Sequence, residues 1–360
     1  MRRALMLLIL PCAAYAAEPS NPEGFPRGEA GPPTRAATGP ANVGPLTIGS
    51  ELFANYTRRT SGDAVGTGDD RFELSRLHLA SRYERGRVTA RVVIEGTRST
   101  ADGALVGVAG DSFVLRAREA YAEVRLPYEF GVRAGMVPTL TIPEIEGTWL
   151  LRAVAAVPLE QLRFASPADL GAQARWTFPQ RFGALAASVT NGEGYTSREL
   201  DTRKSGEIAL TLRPLAGAGW TELALFASAS RGTIGVSSAR NDRATAALLW
   251  QGAWLRAGIS YTLAWGLAGD GALRPNLFEA FVSAEPVPDV LVGLRATRAE
   301  LDSRTQTPTV EAVLASAGYR VAPELEAHIA AEFGRADEAA RLAQPGADRT
   351  EFRAVIRANF

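Results

Sequence analysis

Apolar and polar side chains alternate in single steps along most of the chain from Leu46 to the C-terminus. The last segment, 349–360, shows this most clearly, because its charged residues all fall at odd positions and most of its apolar residues at even ones. Successive side chains of a strand point to opposite faces, so the pattern predicts β-strands that face two different environments. Sixteen segments show it: 46–60, 71–83, 87–96, 113–126, 130–136, 169–178, 183–190, 207–214, 221–231, 243–250, 254–265, 276–284, 289–299, 309–321, 325–335 and 349–360.

The lengths of these segments and of their connections predict one closed barrel. Most segments have about ten residues, which is what a tilted strand needs to cross a bilayer. Short connections, such as 84–86 and 322–324, alternate with long polar ones, of which 137–168 is the longest. Such alternation is typical of an up-and-down meander with two unlike ends. We therefore predict an all-β fold, a closed antiparallel transmembrane β-barrel of about sixteen strands spanning 46–360.

The N-terminus predicts export. Arg2 and Arg3 precede a short apolar stretch, and Ala14-Tyr15-Ala16 fits the small-residue cleavage pattern, so 1–16 is a predicted signal peptide. The alternative is the first helix of a cytosolic protein. Residues 17–45 contain seven prolines and no apolar period, which indicates a disordered or extended periplasmic lead.

A soluble two-sheet sandwich would show the same alternation with its apolar face turned to a core. The export signal, the sixteen consecutive strand segments without helices, and the terminal Phe360 favour the membrane instead. In lipid only a closed barrel satisfies every backbone group of a sheet. We therefore predict the bacterial outer membrane as the location and its lipid as one partner.

Composition excludes several other classes of protein. The chain has 39 basic and 39 acidic residues, so no strong electrostatic field indicates a nucleic-acid partner. Cys12 is the only cysteine, and His78 and His328 are the only histidines. We expect no metal site, no cofactor and no catalytic centre, because neither histidine lies in a recognisable nucleophile motif. An outer-membrane protease or lipase is the enzymatic alternative.

Two predicted strands break the alternation. In 71–83, Arg76 and His78 have the same parity as Phe72 and Leu74, and in 113–126 the apolar phase shifts after Ala117. One bulge in each strand would restore the phase. Because an arginine facing lipid at mid-bilayer costs about 2–4 kcal/mol, we expect Arg76 and Arg118 to face inward or lie at an interface.

The longest connection is predicted to narrow the lumen. A sixteen-stranded barrel has a water-filled interior unless something fills it, and 137–168 contains an apolar run, Ala153 to Leu159, that is unusual for a loop in solvent. We predict that it folds inward as a constriction loop; the alternative is a surface loop that makes trimer contacts. Its charged residues are candidate constriction residues: Glu144, Glu146, Arg152, Glu160 and Arg163.

The predicted inward faces carry an excess of arginine. The inward arginines are Arg87, Arg91, Arg125, Arg133, Arg175, Arg213, Arg243, Arg256, Arg295, Arg320, Arg353 and Arg357; the inward acids are Glu51, Glu95, Glu123, Glu207, Glu222, Glu326, Glu332 and Glu351. The difference, +4, predicts a mild preference for anions, with Arg87, Arg91, Arg133 and Arg175 as pore residues. Alternatively, these charges pair across strands and only hydrate and stiffen the wall.

Several short motifs resemble the phosphate-selective porin O/P family. They are Phe72-Glu73-Leu74, Tyr121 followed by Arg133-Ala134-Gly135-Met136 and Pro138, Ala165-Ser166-Pro167-Ala168-Asp169-Leu170-Gly171-Ala172, and Thr190-Asn191-Gly192-Glu193-Gly194 followed by Asp201 and Lys204. The resemblance implies a homotrimeric sixteen-stranded porin with a loop folded into its channel. It also implies an arginine ladder for phosphate, which would begin at Arg133, Arg152 and Arg163.

These observations predict an outer-membrane porin for passive diffusion of small hydrophilic solutes or ions. We expect a mild preference for anions, with phosphate and other oxyanions as candidate solutes. The competing hypothesis is a structural or adhesive outer-membrane barrel with a blocked lumen.

Overall fold

The computed structural model describes residues 41–62, 70–98, 113–197, 199–218, 222–304, 308–343 and 347–360. The predicted signal peptide and most of the predicted lead lie outside these residues. Sixteen long strands follow one another: β1 (Leu46–Gly62), β2 (Asp70–Arg85), β3 (Val88–Arg98), β4 (Phe113–Leu126), β5 (Phe130–Pro138), β6 (Ala168–Thr177), β7 (Gly183–Thr190), β8 (Ser205–Leu212), β9 (Leu223–Arg231), β10 (Asp242–Gln251), β11 (Leu255–Trp265), β12 (Asn276–Val287), β13 (Val290–Glu300), β14 (Thr309–Ala322), β15 (Leu325–Ala336) and β16 (Arg349–Asn359).

The sixteen strands form a closed antiparallel barrel. Each pairs with the next along the chain, and β16 pairs with β1 through a register that sets Ala354 opposite Tyr56. Ser50 and Phe360 exchange two backbone hydrogen bonds of 2.8 and 2.9 Å, so the C-terminal residue takes part in closure. Closure removes free sheet edges, as a lipid-embedded sheet requires. The predicted fold class is confirmed.

Solvent exposure along the strands shows which face points outward. On β11, Ile259 has 51% of its surface exposed, whereas Ser260 has 3% and Thr262 has 1%. Large apolar side chains are thus exposed on the outside and polar ones are covered inside, the reverse of a water-soluble protein. This distribution favours the membrane over the soluble sandwich.

Both predicted bulges are present. In β2, Arg76 pairs with Phe53 and Leu74 with Ala54, which leaves Ser75 as an extra residue. In β4, Arg118 is skipped in the same way between the pairs Val93–Glu119 and Ile94–Ala117. Each bulge moves the apolar residues to the other parity and keeps them outside.

The two ends of the barrel differ as predicted. Short connections occur at one end, at 86–87, 127–129, 178–182, 252–254, 288–289 and 323–324. At the opposite end the third loop, residues 139–167, contains α1 (Ile142–Trp149) and α2 (Pro158–Gln161), and a later loop contains α3 (Glu338–Ala343).

Two smaller features complete the described chain. The end of the predicted lead, Ala41–Val43, forms a short strand against β1. None of the helices in the described ranges has the length and hydropathy that a membrane-crossing helix needs.

Candidate functional site

The third loop folds into the barrel, where its two helices begin at prolines. Pro143 and Pro158 occupy the first turns of α1 and α2, positions that need no backbone N–H. α1 ends at Leu150, whose left-handed backbone directs its N–H to the carbonyl of Glu146 at 3.0 Å. Trp149 is completely covered and donates its indole N–H to the carbonyl of Ala155 at 3.0 Å. The loop is therefore a folded unit inside the lumen, which confirms the predicted inward loop.

The apolar side of the loop packs on one side of the inner wall. We call the inward faces of β7 to β13 the loop-bearing wall. The ring of Phe281 meets Trp149 edge to face, with ring centroids 5.7 Å apart, and Gly258 leaves the space that the Phe281 ring occupies. The other apolar residues of this cluster include Ile142, Ile145, Leu159, Phe164, Ala186, Ala209, Phe226, Leu249 and Leu277. Here apolar residues such as Phe226, Leu249 and Phe281 interrupt the polar inner face that the alternation predicted.

Arginines also fasten the loop through its backbone. A guanidinium donates strong hydrogen bonds, and the loop offers carbonyl groups that no regular ladder uses. Four predicted inward arginines bond in this way: Arg243 to Phe164 at 2.6 Å, Arg256 to Gly147 at 3.1 Å, Arg295 to Ala156 at 2.6 Å and Arg353 to Val154 at 2.6 Å. Their positive charges therefore hold the loop.

On the other side of the inner wall, basic and acidic side chains alternate from strand to strand. We call the inward faces of β14 to β16 and β1 to β4 the ionic wall. One partner comes from each successive strand: Arg320–Glu326 at 3.6 Å, Glu326–Arg357 at 3.3 Å, Arg357–Glu51 at 2.6 Å, Glu51–His78 at 3.2 Å, His78–Glu95 at 3.1 Å and Glu95–Arg118 at 3.0 Å. Cross-strand pairing of this kind supports the alternative in which inward charges neutralise one another.

The third loop reaches this ionic wall through a group of charged residues that we call the latch: Arg76, Glu95, Arg118, Glu146, Arg152 and Glu160. Glu160 accepts from Arg76 at 3.3 Å, and Glu146 lies 3.8 Å from Arg118. Arg152 pairs with both loop acids, Glu146 and Glu160. Glu95 is 1% exposed and lies between Arg76, at 3.1 Å, and Arg118. The loop thus contacts both sides of the lumen.

The structure brings three of the nine predicted pore residues into the latch, Glu146, Arg152 and Glu160. Glu144 is buried in the first turn of α1 and is the strongest electrostatic neighbour of Arg175. The Nε of Arg175 is covered and has no hydrogen-bond partner. The first turn of α1 and the inward face of β6 therefore place a carboxylate and a guanidinium near each other.

The other predicted residues are dispersed. Arg133 donates from Nε to Gln173 at 2.7 Å and lies 4.9 Å above the ring of Tyr121. Arg91 pairs with Glu119 at 2.7 Å. Arg87 is exposed in the turn 86–87, and Arg163 is exposed just after α2 with a left-handed backbone, so neither lies in the latch.

Sequence reasoning left Arg76, Arg118 and Tyr195 out of the site. The two arginines could have been found, because the broken alternation marks both of them. Tyr195 belongs to the loop between β7 and β8, and its hydroxyl donates to Glu95 at 2.6 Å. Burial and then the negative charge of Glu95 raise the pKa of Tyr195, so it stays a donor. No local sequence pattern predicts this contact.

Small spaces remain beside the loop. One of about 150 Å³ lies between α2 and the wall and is lined by Gln161, Arg295 and Glu332. Such a space can hold several waters. Among the described residues, no three histidine, cysteine, aspartate or glutamate side chains are placed to hold a metal ion.

The sequence matches no family model and no curated protein, whereas several solved structures are similar. The Salmonella typhi OmpF complex with daunomycin matches with a TM-score of 0.66 and 9% identity over 88% of this chain and 97% of that one. The anion-selective porin from Comamonas acidovorans has a TM-score of 0.60 and 15% identity, and the match covers 88% of this chain and 99% of that one. OmpT of Vibrio cholerae has a TM-score of 0.57 and 11% identity, and the match covers 89% of this chain and 100% of that one. The chain therefore has the fold of the sixteen-stranded porins.

Proposed function

We propose that this protein is an outer-membrane porin through which small hydrophilic solutes and ions diffuse passively. The observation that carries the proposal is the inside-out barrel, with exposed apolar residues such as Ile259 outside and charged strands and a folded loop inside. The predicted signal peptide 1–16 and lead 17–45 fit export to the bacterial outer membrane. The proposed partners are outer-membrane lipid around the barrel and small polar solutes in its lumen.

The proposal includes a mild preference for anions. Most inward arginines contact a carboxylate or a loop carbonyl, so the simple excess of +4 overstates the field that a solute meets. Arg175 is different, because among the described residues its guanidinium has no hydrogen-bond or ion-pair partner. Its side chain is half-buried, and an unpaired guanidinium that a solute can reach attracts anions and fits the geometry of oxyanions. The solved Comamonas acidovorans neighbour is described as anion-selective.

Phosphate preference and a homotrimer are the finer parts of this proposal. Arg133, beside Gln173 and Tyr121, is the predicted ladder residue that lies on the inward face. One Vibrio cholerae OmpT structure is of a trimer form, which supports testing the same assembly here. Cross-linking of the detergent-extracted barrel would reveal a trimer, and a monomer-only pattern would contradict it.

A planar bilayer under a salt gradient tests the porin proposal. We expect open-channel current and a reversal potential of the anion-selective sign. Arg175→Gln should move this potential toward the cation-selective sign, whereas Arg298→Gln, a rim residue in an exposed pair with Glu311, should leave it unchanged. A cation-selective wild type would end the anion proposal, and phosphate that fails to block chloride current would end the phosphate one.

A structural barrel with a blocked lumen is the second candidate. The observation that favours it is the third loop, which contacts both the loop-bearing wall and the latch. Absence of current from correctly folded protein in bilayers would decide for this candidate.

A further inference from the structure

The loop between β7 and β8 reaches into the lumen through one side chain. Tyr195 lies 100 residues from Glu95 along the chain, yet its hydroxyl donates to the Oε1 of Glu95 at 2.6 Å. Glu95 belongs to β3 and is covered. Tyr195 therefore spans from the β6–β7 side of the barrel to the ionic wall.

The base of this loop is fixed by hydrogen bonds from its backbone to the first residues of β6. The N–H of Tyr195 donates to the carbonyl of Ala168 at 2.9 Å, and the N–H of Gly192 donates to Asp169 at 2.6 Å. Gly194 has a φ of +79° and lies against Ser166 so closely that a Cβ would come within 2.5 Å of the Ser166 hydroxyl. Tyr195 is thus presented from a fixed base, and its reach to Glu95 is set by the fold.

Glu95 is the carboxylate that the latch shares. One of its oxygens accepts from Arg76, His78 and Arg118 at 3.0 to 3.1 Å, and the other accepts from Tyr195. Arg76 and Arg118 in turn face Glu160 and Glu146 of the third loop. A continuous series of contacts therefore leads from Tyr195 to the third loop through one carboxylate and two arginines.

We propose that Tyr195 is a positioning residue for the constriction, and that the β7–β8 loop is a second inward element that keeps the third loop in place. This inference rests on the proposed porin function. The phenol occupies one oxygen of Glu95 and so leaves the other to the arginines and His78. Without the phenol, Glu95 can rotate, and both arginines then hold the loop acids less firmly.

Tyr195→Phe removes one hydroxyl group and tests the proposal. The matched control is Tyr128→Phe, because Tyr128 is 91% exposed in the turn 127–129. Both changes are made in a Gly147→Cys background, since Gly147 lies in α1 of the third loop and a Cβ there meets nothing within 4 Å. Cys12, the only native cysteine, belongs to the predicted signal peptide, so the new thiol is unique once that peptide is removed.

Two readouts are compared, thiol labelling by a small methanethiosulfonate reagent and single-channel current. We expect Tyr195→Phe to raise the labelling rate at position 147 several-fold and to increase the number of current transitions. Tyr128→Phe should match the parent. An unchanged labelling rate in folded Tyr195→Phe would overturn the inference, and so would failure of that variant to assemble, because a positioning residue leaves the barrel intact.

A double variant separates positioning from a general structural role. In a Glu95→Gln background, Tyr195→Phe should add nothing further to the labelling rate, because its effect passes through Glu95. Additive effects would contradict this route. If no variant and no parent conducts, the porin proposal fails, while the labelling comparison still decides the role of Tyr195.

Discussion

The two sides of the inner wall hold the same loop by different physical means. On the loop-bearing wall, Trp149 and its neighbours exclude water against Phe281. On the ionic wall, Glu146 and Glu160 meet Arg118 and Arg76, with part of this latch accessible to water. Apolar packing depends little on ionic strength, whereas an ion pair with partial access to water, such as Arg76–Glu160, is weakened by salt. The comparison indicates a loop anchored on one side and adjustable on the other.

The loop-bearing side should show the largest loss of stability. Phe281→Ala removes the ring that packs on Trp149 and leaves a cavity, which should lower the free energy of unfolding by about 3–5 kcal/mol. Urea titration of the barrel in detergent, followed by tryptophan fluorescence, measures this. The matched variant is Phe278→Ala on the outer face of the same strand, which should cost clearly less because lipid or detergent fills the space. Equal losses of unfolding free energy in the two variants would contradict the claim that Phe281 anchors the third loop.

The latch should show the next effect. Glu95→Gln removes the charge that balances Arg76 and Arg118, and breaking a buried pair of this kind costs about 3 kcal/mol or more. Unfolding in the same detergent measures the change. Glu84→Gln is the control, because Glu84 pairs with Arg82 and Arg125 at the exposed rim, where each pair contributes about 0–1 kcal/mol. If Glu84→Gln lowers the free energy of unfolding as much as Glu95→Gln does, the latch stabilises the barrel no more than an exposed pair.

A single loop-fastening arginine should matter less. Arg256→Gln shortens the side chain that bonds to the carbonyl of Gly147 at 3.1 Å, and loss of a hydrogen bond to a charged group costs about 1.5–3 kcal/mol. Gly147 lies in the last turn of α1, so the positive guanidinium also interacts favourably with the negative end of the helix dipole. Hydrogen exchange of the α1 amides should accelerate. If their exchange is unchanged, this arginine does not hold the loop.

The smallest effect concerns alkaline pH. The pKa of Tyr195 is raised above its ordinary value of 10.0, by burial first and then by Glu95. Its contribution to stability is therefore complete below that ordinary value and is lost as pH rises through the higher folded pKa. During alkaline titration, the tyrosinate absorbance that appears at high pH should be smaller by one phenol in Tyr195→Phe than in the parent. A variant with the same late absorbance would show that another tyrosine is responsible.

Most of the barrel could be predicted from the sequence because strand alternation is local. The same alternation also revealed both bulges, at Ser75 and Arg118, since one extra residue reverses the parity of everything after it. The length and the apolar run of 137–168 predicted an inward loop. Each of these inferences uses only neighbouring residues.

The latch as a whole could not be predicted, because it depends on the exact register of β2, β3 and β4 and on where the third loop meets them. Glu95 lies 19 residues from Arg76, 23 from Arg118 and 100 from Tyr195. A charge count gave an inward excess but could not tell which arginines the glutamates neutralise. Inward apolar residues of the loop-bearing wall, such as Leu249 and Phe281, were also missed, because alternation shows which residues share a face but not which of them a distant loop covers.

The most direct test of this two-sided lumen is a nitroxide scan of β12 in lipid vesicles, with accessibility to oxygen and to a water-soluble nickel chelate as readouts. We expect oxygen accessibility to peak at Phe278, Ala280 and Val282, and both reagents to be excluded at Leu277, Glu279 and Phe281, where the third loop covers the wall. At Arg82 and Arg91 on the opposite side, nickel should have access. Strong nickel access at 277, 279 and 281 would contradict the anchored loop, and oxygen maxima at those positions would contradict the inside-out barrel itself.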